Sequence, residues 1–328
     1  MRRVLFLGDR LFMKFPDFEY FRRRLAEIDT EIVETKGMSD AEVVSLAGDA
    51  EALVVIARPI TAEMINACTS CKLIMTLSVG YDVVDVPAAT ARRIPVSNCP
   101  LYCSAEVAEH ALTLALTLSR KIPVLHDHVR NGGWDYKVAL PVHAHRKQTY
   151  GIIGLGRIGR QSARKAAALG MHVAAYDPYV DDDIFAKLGV ERYYDLEPFL
   201  QECDIFTVHS PLTDETWHML DADAFRAMKK TAVVVNTARG SIIDQSALET
   251  ALDTGEIAGA GLDVLETEPP VGTERILTHP KAIVTPHAAW YSEESHEQNS
   301  IDGMDELVRV LTGHRPRYVV NPQIYSRR

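Results

Sequence analysis

Gly151-Ile-Ile-Gly154-Leu-Gly156-Arg157-Ile158-Gly159 runs from a short apolar stretch straight into a Gly-x-Gly-x-x-Gly turn. Tyr150 to Ile153 has the composition of a buried strand. Beyond Gly159, the segment Arg160 to Leu169 is rich in helix formers and stops at Gly170, as a helix does. A second apolar run, Met171 to Tyr176, follows and ends in Asp177. Strand, glycine turn, helix, strand and acid in this order predict a dinucleotide site, which the glycines alone would not. Gly154 allows the tight turn, Gly156 lets the backbone approach a pyrophosphate, and Gly159 lets helix and strand pack closely. The helix N-terminus then holds the anion. Asp177 stands 18 positions beyond Gly159, close to the ~20 expected of the carboxylate that accepts ribose hydroxyls. An acid there repels a 2′-phosphate, so the expected cofactor is NAD rather than NADP.

The rest of the composition narrows the class. The chain has 328 residues, enough for two domains, with 47% hydrophobic and 24% charged residues as in an ordinary soluble protein. A formal charge of −10 argues against general nucleic-acid binding, which needs a cationic surface. Two arginines precede the first apolar run, but Asp9 ends it too early for a signal peptide, and no stretch approaches the ~18 apolar residues of a membrane span. A cytoplasmic protein without a membrane or nucleic-acid partner is expected. Cys68, Cys71, Cys99, Cys103 and Cys203 are an odd count in such a chain and read as reduced thiols. Cys68-Thr-Ser-Cys71 has no second pair to complete a metal site, and His126/His128 and His143/His145 read as solvated, so no metal is expected.

The first hundred residues alternate short strands with amphipathic helices: Val4 to Leu7, Phe18 to Ile28, Glu31 to Glu34, Asp40 to Leu46, Ala52 to Ile56, Ala62 to Ala67 and Leu73 to Leu77. Such alternation predicts an open parallel sheet covered on both faces. A second unit starts at the fingerprint strand and continues in Val173 to Tyr176, Ile205 to Val208, Ala232 to Val235, Gly259 to Val264 and Ala282 to Thr285, six strands in all. Between the units, Ser104 to His126 reads as one long helix with Val107, Ala108, Ala111, Leu112, Leu114, Ala115 and Leu118 on or near one face. The last helix, Glu293 to Leu311, has no sheet of its own and is expected to pack on the first unit. The first domain is then discontinuous, with crossings near Asn98-Cys99-Pro100 and Pro286-His287, and ligands are expected in a cleft between the domains.

Three polar segments follow strands of the second unit, where such sheets bind ligands. They are Asn236-Thr237-Ala-Arg239-Gly240, Asp263-Val-Leu-Glu266-Thr-Glu268-Pro269, and Thr285-Pro286-His287-Ala-Ala-Trp290. Arginine keeps its charge and its planar fork matches a carboxylate. Imidazole donates or takes a proton near working pH, and a neighbouring carboxylate favours and orients its charged form.

Together these segments resemble the D-isomer-specific 2-hydroxyacid dehydrogenase family, whose members interconvert 2-oxo acids and D-2-hydroxy acids with a nicotinamide cofactor. The resemblance spans nearly the whole chain. It implies two doubly wound parallel-sheet α/β domains, a Rossmann-type NAD-binding domain (residues 101–288) inserted in a discontinuous flavodoxin-like substrate domain (residues 1–100 and 289–328). It implies that Arg239 clamps the substrate carboxylate and carbonyl, that Glu268 rather than Glu266 orients the histidine, and that His287 is the acid/base. Ser78-Val79-Gly80-Tyr81-Asp82 is similar to the family's substrate loop, with the backbone amides of Val79 and Gly80 on the carboxylate; Val83 stands where an asparagine is common. By the same likeness Arg157 and Ile158 lie over the pyrophosphate, His209 and Pro211 on the adenosine side, and Thr237 and Asp263 near the nicotinamide. A homodimer formed through the Ser104 to His126 helix is implied as well.

Two residues keep two readings each. Trp290 is either a wall of the substrate pocket or packing between domains, and Arg58 either meets an anionic substituent such as a phosphonate or is a solvated loop arginine. The stretch 285–293 and Tyr176-Asp177-Pro178-Tyr179 are similar to the C-terminal binding protein branch, which implies an alternative: an NAD(H)-responsive dimeric scaffold for peptide partners. The absence of a long polar tail before Arg328 and the acidic composition favour the enzyme. A dehydrogenase acting on a phosphorus oxyanion is the other alternative.

Overall fold

The computed structural model describes residues 2–8, 18–56 and 58–326, so Asp9 and Ala57 lie outside the described residues. The chain divides into two compact units, one formed by Met1–Cys103 with Ser292–Arg328 and the other by Ser104–Tyr291. The inserted arrangement expected from the sequence is the one found.

The discontinuous unit is built on β1 (Arg2–Leu7), β2 (Thr30–Glu34), β3 (Ala52–Val55), β4 (Leu73–Thr76) and β5 (Val96–Ser97). They form a parallel sheet in the order β2-β1-β3-β4-β5, the flavodoxin-like winding. Both faces are covered, so its strands read as continuous apolar runs. Leu5 and Leu7 pack with Leu53, Val55, Met64 and Ile65 on one side. Val4 and Phe6 pack with Phe21, Met75, Met304 and Leu307 on the other. The C-terminal helix Glu293–Leu311 belongs to that second face, begins with a Ser292/Ser295 capping box, and presses Gly303 against Leu77 so closely that a Cβ there would clash. Helix Phe18–Ala26 ends two residues earlier than expected, and β5 and helix Val86–Ala91 were not anticipated.

The inserted unit carries β6 (Thr149–Ile153), β7 (His172–Tyr176), β8 (Glu191–Tyr193), β9 (Ile205–Val208), β10 (Val233–Asn236), β11 (Gly259–Leu262) and β12 (Ala282–Val284). All pair in parallel in the order β12-β11-β10-β9-β6-β7-β8, with the strand order reversing between β6 and β9. This is the Rossmann winding with one further strand. Alternate residues face opposite clusters: Ile153 and Val234 join Phe199, Phe206 and Phe225, whereas Ile152, Val233 and Val235 join Leu114, Leu118 and Phe185. The expected six strands are corrected to seven. The missed one, β8, is three residues long and begins Glu-Arg at the sheet edge, a protected edge that carries no apolar signal.

The single helix expected from Ser104 to His126 is corrected to two, Ser104–Ser119 and Ile122–Arg130. Pro123 occupies the first turn of the second helix, where its missing N–H costs nothing, and the chain turns before it at Lys121, whose φ is 55°. The first helix buries Val107, Ala108, Ala111, Leu114, Ala115 and Leu118, while the second buries no residue.

Candidate active site

In the inserted unit the strand registers align Tyr176, Ile153, Val208, Asn236, Leu262 and Val284 across the sheet. The next residue on each strand therefore stands in one row along the carboxyl rim: Asp177, Gly154, His209, Thr237, Asp263 and Thr285. Five of these six are residues that the sequence assigned to a cofactor. The common winding puts ligands of open parallel sheets at this edge.

At the centre of the row Gly154 has φ 92° and lies against His209 and Ser210, where a Cβ would come within 2.6 Å of the Ser210 nitrogen. A Cβ on Gly159 would meet the Gly154 carbonyl oxygen at 2.2 Å, so only glycine lets the helix Arg157–Ala168 seat on the turn. The buried hydroxyls of Tyr150 and Ser162 bond at 2.9 Å and fix that helix against β6. Gly156 faces open space and caps the helix without a side-chain bond, Arg157 is exposed, and Ile158 is half-buried. The leading amides of the helix thus remain available to an anion. On one side Asp177 accepts from the Leu155 amide at 2.7 Å and the Tyr179 amide at 2.9 Å.

On the other side the polar atoms are unpaired. Both ring nitrogens of His209, the Ser210 hydroxyl and the Thr237 hydroxyl are buried without a hydrogen-bond partner among the described residues. Burial alone takes the His209 imidazole down to about 4, so it is neutral at pH 7. Pro211 follows, and its carbonyl accepts from the Thr216 hydroxyl at 2.7 Å. Orphaned polar atoms beside an open glycine turn fit a dinucleotide, whose hydroxyls and phosphates would satisfy them.

Three loops beyond the row carry the charged residues. Asn236, buried, accepts from the Ala238 amide at 2.9 Å and donates to the Arg239 carbonyl at 2.8 Å, which staples the loop that presents Arg239. The Arg239 guanidinium donates to the Ala238 carbonyl at 2.7 Å. Gly240 lies on the backbone of Leu265 and Glu266, where a Cβ would come within 2.0 Å, so the arginine loop rests on the glutamate loop. Glu268 accepts from the Leu265 amide at 2.8 Å, and its other oxygen is 2.6 Å from His287 Nδ1. Burial works to raise the Glu268 carboxyl, but His287, the Leu265 amide and the Arg239 charge outweigh it and hold it below the usual range.

His287 has φ 52°, a left-handed conformation rare for a bulky residue. Asp263 holds it there. The Asp263 carbonyl accepts from the His287 amide at 2.8 Å, and its carboxylate, 2% exposed, takes the Ala288 and Ala289 amides and the Thr285 hydroxyl. The sequence placed Asp263 on the cofactor; the structure shows its donors coming from the histidine turn. Asn236 and His110, which bonds Thr285, were not singled out in the sequence. Trp290 is half-buried with its ring edge-on to Tyr291.

The remaining candidates lie in the discontinuous unit. The carbonyls of the loop after β4 are tied down: Asn299 donates to Leu77, the Cys99 amide to Ser78, and Asn98 to Val79, while the Ser78 hydroxyl donates to Gly80. The amides of Val79 and Gly80 donate to no described residue. Val83, at the family's asparagine position, packs on the core instead. Arg58 is paired with Asp40 at 2.6 Å.

Residues 112–289 match the family model for the NAD-binding domain of D-isomer specific 2-hydroxyacid dehydrogenases. A glyoxylate reductase of Korarchaeum cryptofilum is 37% identical over 280 residues, 84% of either chain. A D-3-phosphoglycerate dehydrogenase of Synechocystis is 35% identical over 91% of this chain. The chain spans about half the length of that relative, 53%. Among solved structures, D-lactate dehydrogenase of Aquifex aeolicus, complexed with NAD and lactic acid, superposes with a TM-score of 0.87 at 28% identity over 97% of this chain and 99% of the other. An NADPH-dependent glyoxylate/hydroxypyruvate reductase of Sinorhizobium meliloti, in complex with NADP and malonate, gives 0.84 at 31% identity over 100% and 99%. The chain belongs to the D-isomer specific 2-hydroxyacid dehydrogenase family.

Proposed function

We propose that this protein is an NAD-dependent oxidoreductase that interconverts a small 2-oxo acid and a D-2-hydroxy acid, with 104–291 as the cofactor domain and the discontinuous unit as the substrate domain. The 2.6 Å contact between His287 Nδ1 and Glu268 carries the reading. A carboxylate can only accept, so Nδ1 holds a hydrogen and Nε2 is left to give or take the substrate's proton. Bound nicotinamide supplies or receives the hydride. Arg239 polarises the carbonyl and anchors the carboxylate, while the free amides of Val79 and Gly80 take the carboxylate. Asp177 excludes a 2′-phosphate, and Gly154, Gly156 and Gly159 make the pyrophosphate turn.

The relatives named above act on glyoxylate, hydroxypyruvate, lactate and phosphoglycerate, which supports a substrate among short 2-oxo acids and their reduced forms. The Arg58–Asp40 pair leaves the phosphorus-oxyanion alternative without support. NADH oxidation against glyoxylate, hydroxypyruvate, pyruvate and phosphonates tests the assignment. Turnover of a 2-oxo acid is expected. Tight NADH binding without turnover would favour the scaffold reading suggested by the 285–293 stretch.

A homodimer is part of the proposal. Ile122, Val124, Val129, Trp134, Tyr136, Val138 and Leu140 are all exposed, and Trp134 is 90% so. Apolar side chains this concentrated mark an association surface. The support lies in 122–140 and not in the buried helix Ser104–Ser119. Sedimentation should give twice the chain mass, and a charge at Trp134 should dissociate it.

A further inference from the structure

His110 has no part in the proposed chemistry, yet it reaches the rim. It sits in the helix Ser104–Ser119 with its Nε2 3.0 Å from Thr285 Oγ1 and 3.6 Å from Asp263 Oδ1. Thr285 Oγ1 is in turn 2.5 Å from that carboxylate oxygen. A hydroxyl has one hydrogen and a carboxylate has none to give. Thr285 therefore donates to Asp263 and accepts from His110, which puts a hydrogen on His110 Nε2. The direction of the relay is determined by the acceptor at its end.

That acceptor is the anchor of the histidine turn. Asp263 receives the amides of Ala288 and Ala289 at 2.9 and 2.8 Å on its carboxylate and the amide of His287 at 2.8 Å on its carbonyl. A left-handed histidine persists only where its surroundings over-determine it. Here the His287 amide is shared between the Asp263 carbonyl and the Thr285 carbonyl, at 2.8 and 3.0 Å, and the next two amides of the turn go to the Asp263 carboxylate. From the other side the ring is held by Glu268, itself under the charge of Arg239.

We propose that His110 is a positioning residue for His287. Through Thr285 it fixes the Asp263 carboxylate, and through Asp263 the turn 285–289, so that the imidazole stays on Glu268. Its catalytic consequence rests on the acid/base reading of His287; its structural consequence does not. Removing the His110 donor leaves the half-buried Thr285 oxygen with an unmet acceptor site and frees the hydroxyl to leave Asp263. A small displacement of a reacting group is costly even when the altered residue is distant from it.

Three variants of the full chain test this. His110→Phe removes the donor and keeps a ring, His110→Gln returns an N–H at similar reach, and Thr285→Val removes the relay hydroxyl without changing shape. Turnover is read together with amide hydrogen exchange at Ala288 and Ala289, with Ile152 in β6 as an internal reference. His110→Phe and Thr285→Val should each lower kcat about tenfold with KM for NADH nearly unchanged. Exchange at Ala288 and Ala289 should quicken while Ile152 stays protected. The double variant should be no worse than either single one, and His110→Gln should restore both readouts. Unchanged exchange at Ala288 and Ala289, or an equal loss of protection at Ile152, would overturn the proposal, as would failure of His110→Gln to restore the turn. If the wild-type protein turns over no 2-oxo acid, the acid/base reading falls, whereas the exchange measurement still decides for or against the relay.

Discussion

Two glutamates only two residues apart each face a histidine, and the pairs differ in their surroundings. Glu268 bonds His287 at 2.6 Å, and Glu266 lies 2.9 Å from His218 Nε2. Both histidines have left-handed backbones, at 52° and 48°. His218 is stacked on Trp217, its other nitrogen is 4.0 Å from Asp244, and Glu266 also accepts from the Gln245 amide. That contact lies between the segment after β9 and the segment after β11. His287 instead follows the rim residue Thr285 by two positions, with Arg239 acting on its glutamate. A histidine–carboxylate contact by itself therefore marks no site; what sets the pair proposed for proton transfer apart is its address at the carboxyl edge, beside a fixed cation.

The largest expected break in this comparison is His287→Ala, which should lower turnover by about 10²- to 10⁴-fold. NADH affinity should hold, as measured by fluorescence titration; undiminished turnover would remove His287 from the mechanism. Arg239→Ala should cost about 10²- to 10³-fold, and it should raise KM for the 2-oxo acid without affecting NADH binding. Glu268→Gln is expected to cost about tenfold, the usual effect of losing a residue that orients a histidine.

The same substitution has a signed effect on stability. The Glu268 carboxyl is held below its ordinary range, so its contribution is present above the unfolded value of ~4.3 and fades as the pH falls through the folded value. The difference in unfolding free energy between wild type and Glu268→Gln should thus be greatest at neutral pH and close in acid. A constant difference would show that the pair contributes nothing through ionisation. Smallest of all is His218→Leu. Its pair is about one-third exposed, so it is worth less than about 1 kcal/mol, and Tm should fall by no more than about 3 °C. A tenfold loss of turnover in His218→Leu would erase the distinction drawn between the two pairs.

Much of the rim was legible beforehand. The fingerprint, the acid 18 positions on and the polar segments after apolar runs place Gly154, Asp177, His209, Thr237 and Asp263 at strand ends, and the registers put them in one row. These signals are local, since a buried parallel strand and its following turn are written in consecutive residues. What stayed hidden was either short or distant. The edge strand β8 is polar and brief, and the break at Lys121 depends on where Pro123 can sit in a helix. Asn236 reads as one more polar loop residue until its two bonds to the arginine loop are seen.

From the sequence alone came the two α/β units, the nucleotide turn, the acid that favours NAD and the choice of Glu268 for His287, the last only through likeness to a family. Tertiary structure decided the rest. His110 and Thr285 are 175 positions apart, and nothing in the spacing of either one predicts their 3.0 Å contact. The helix that carries His110 was visible as an apolar stripe, and a polar residue beside that stripe gives no hint of which rim residue it meets. The reason is physical: periodicity and turn chemistry act over a few residues, whereas hydrogen-bond partners are chosen by the packing of whole elements, which only the folded sheet brings to one edge.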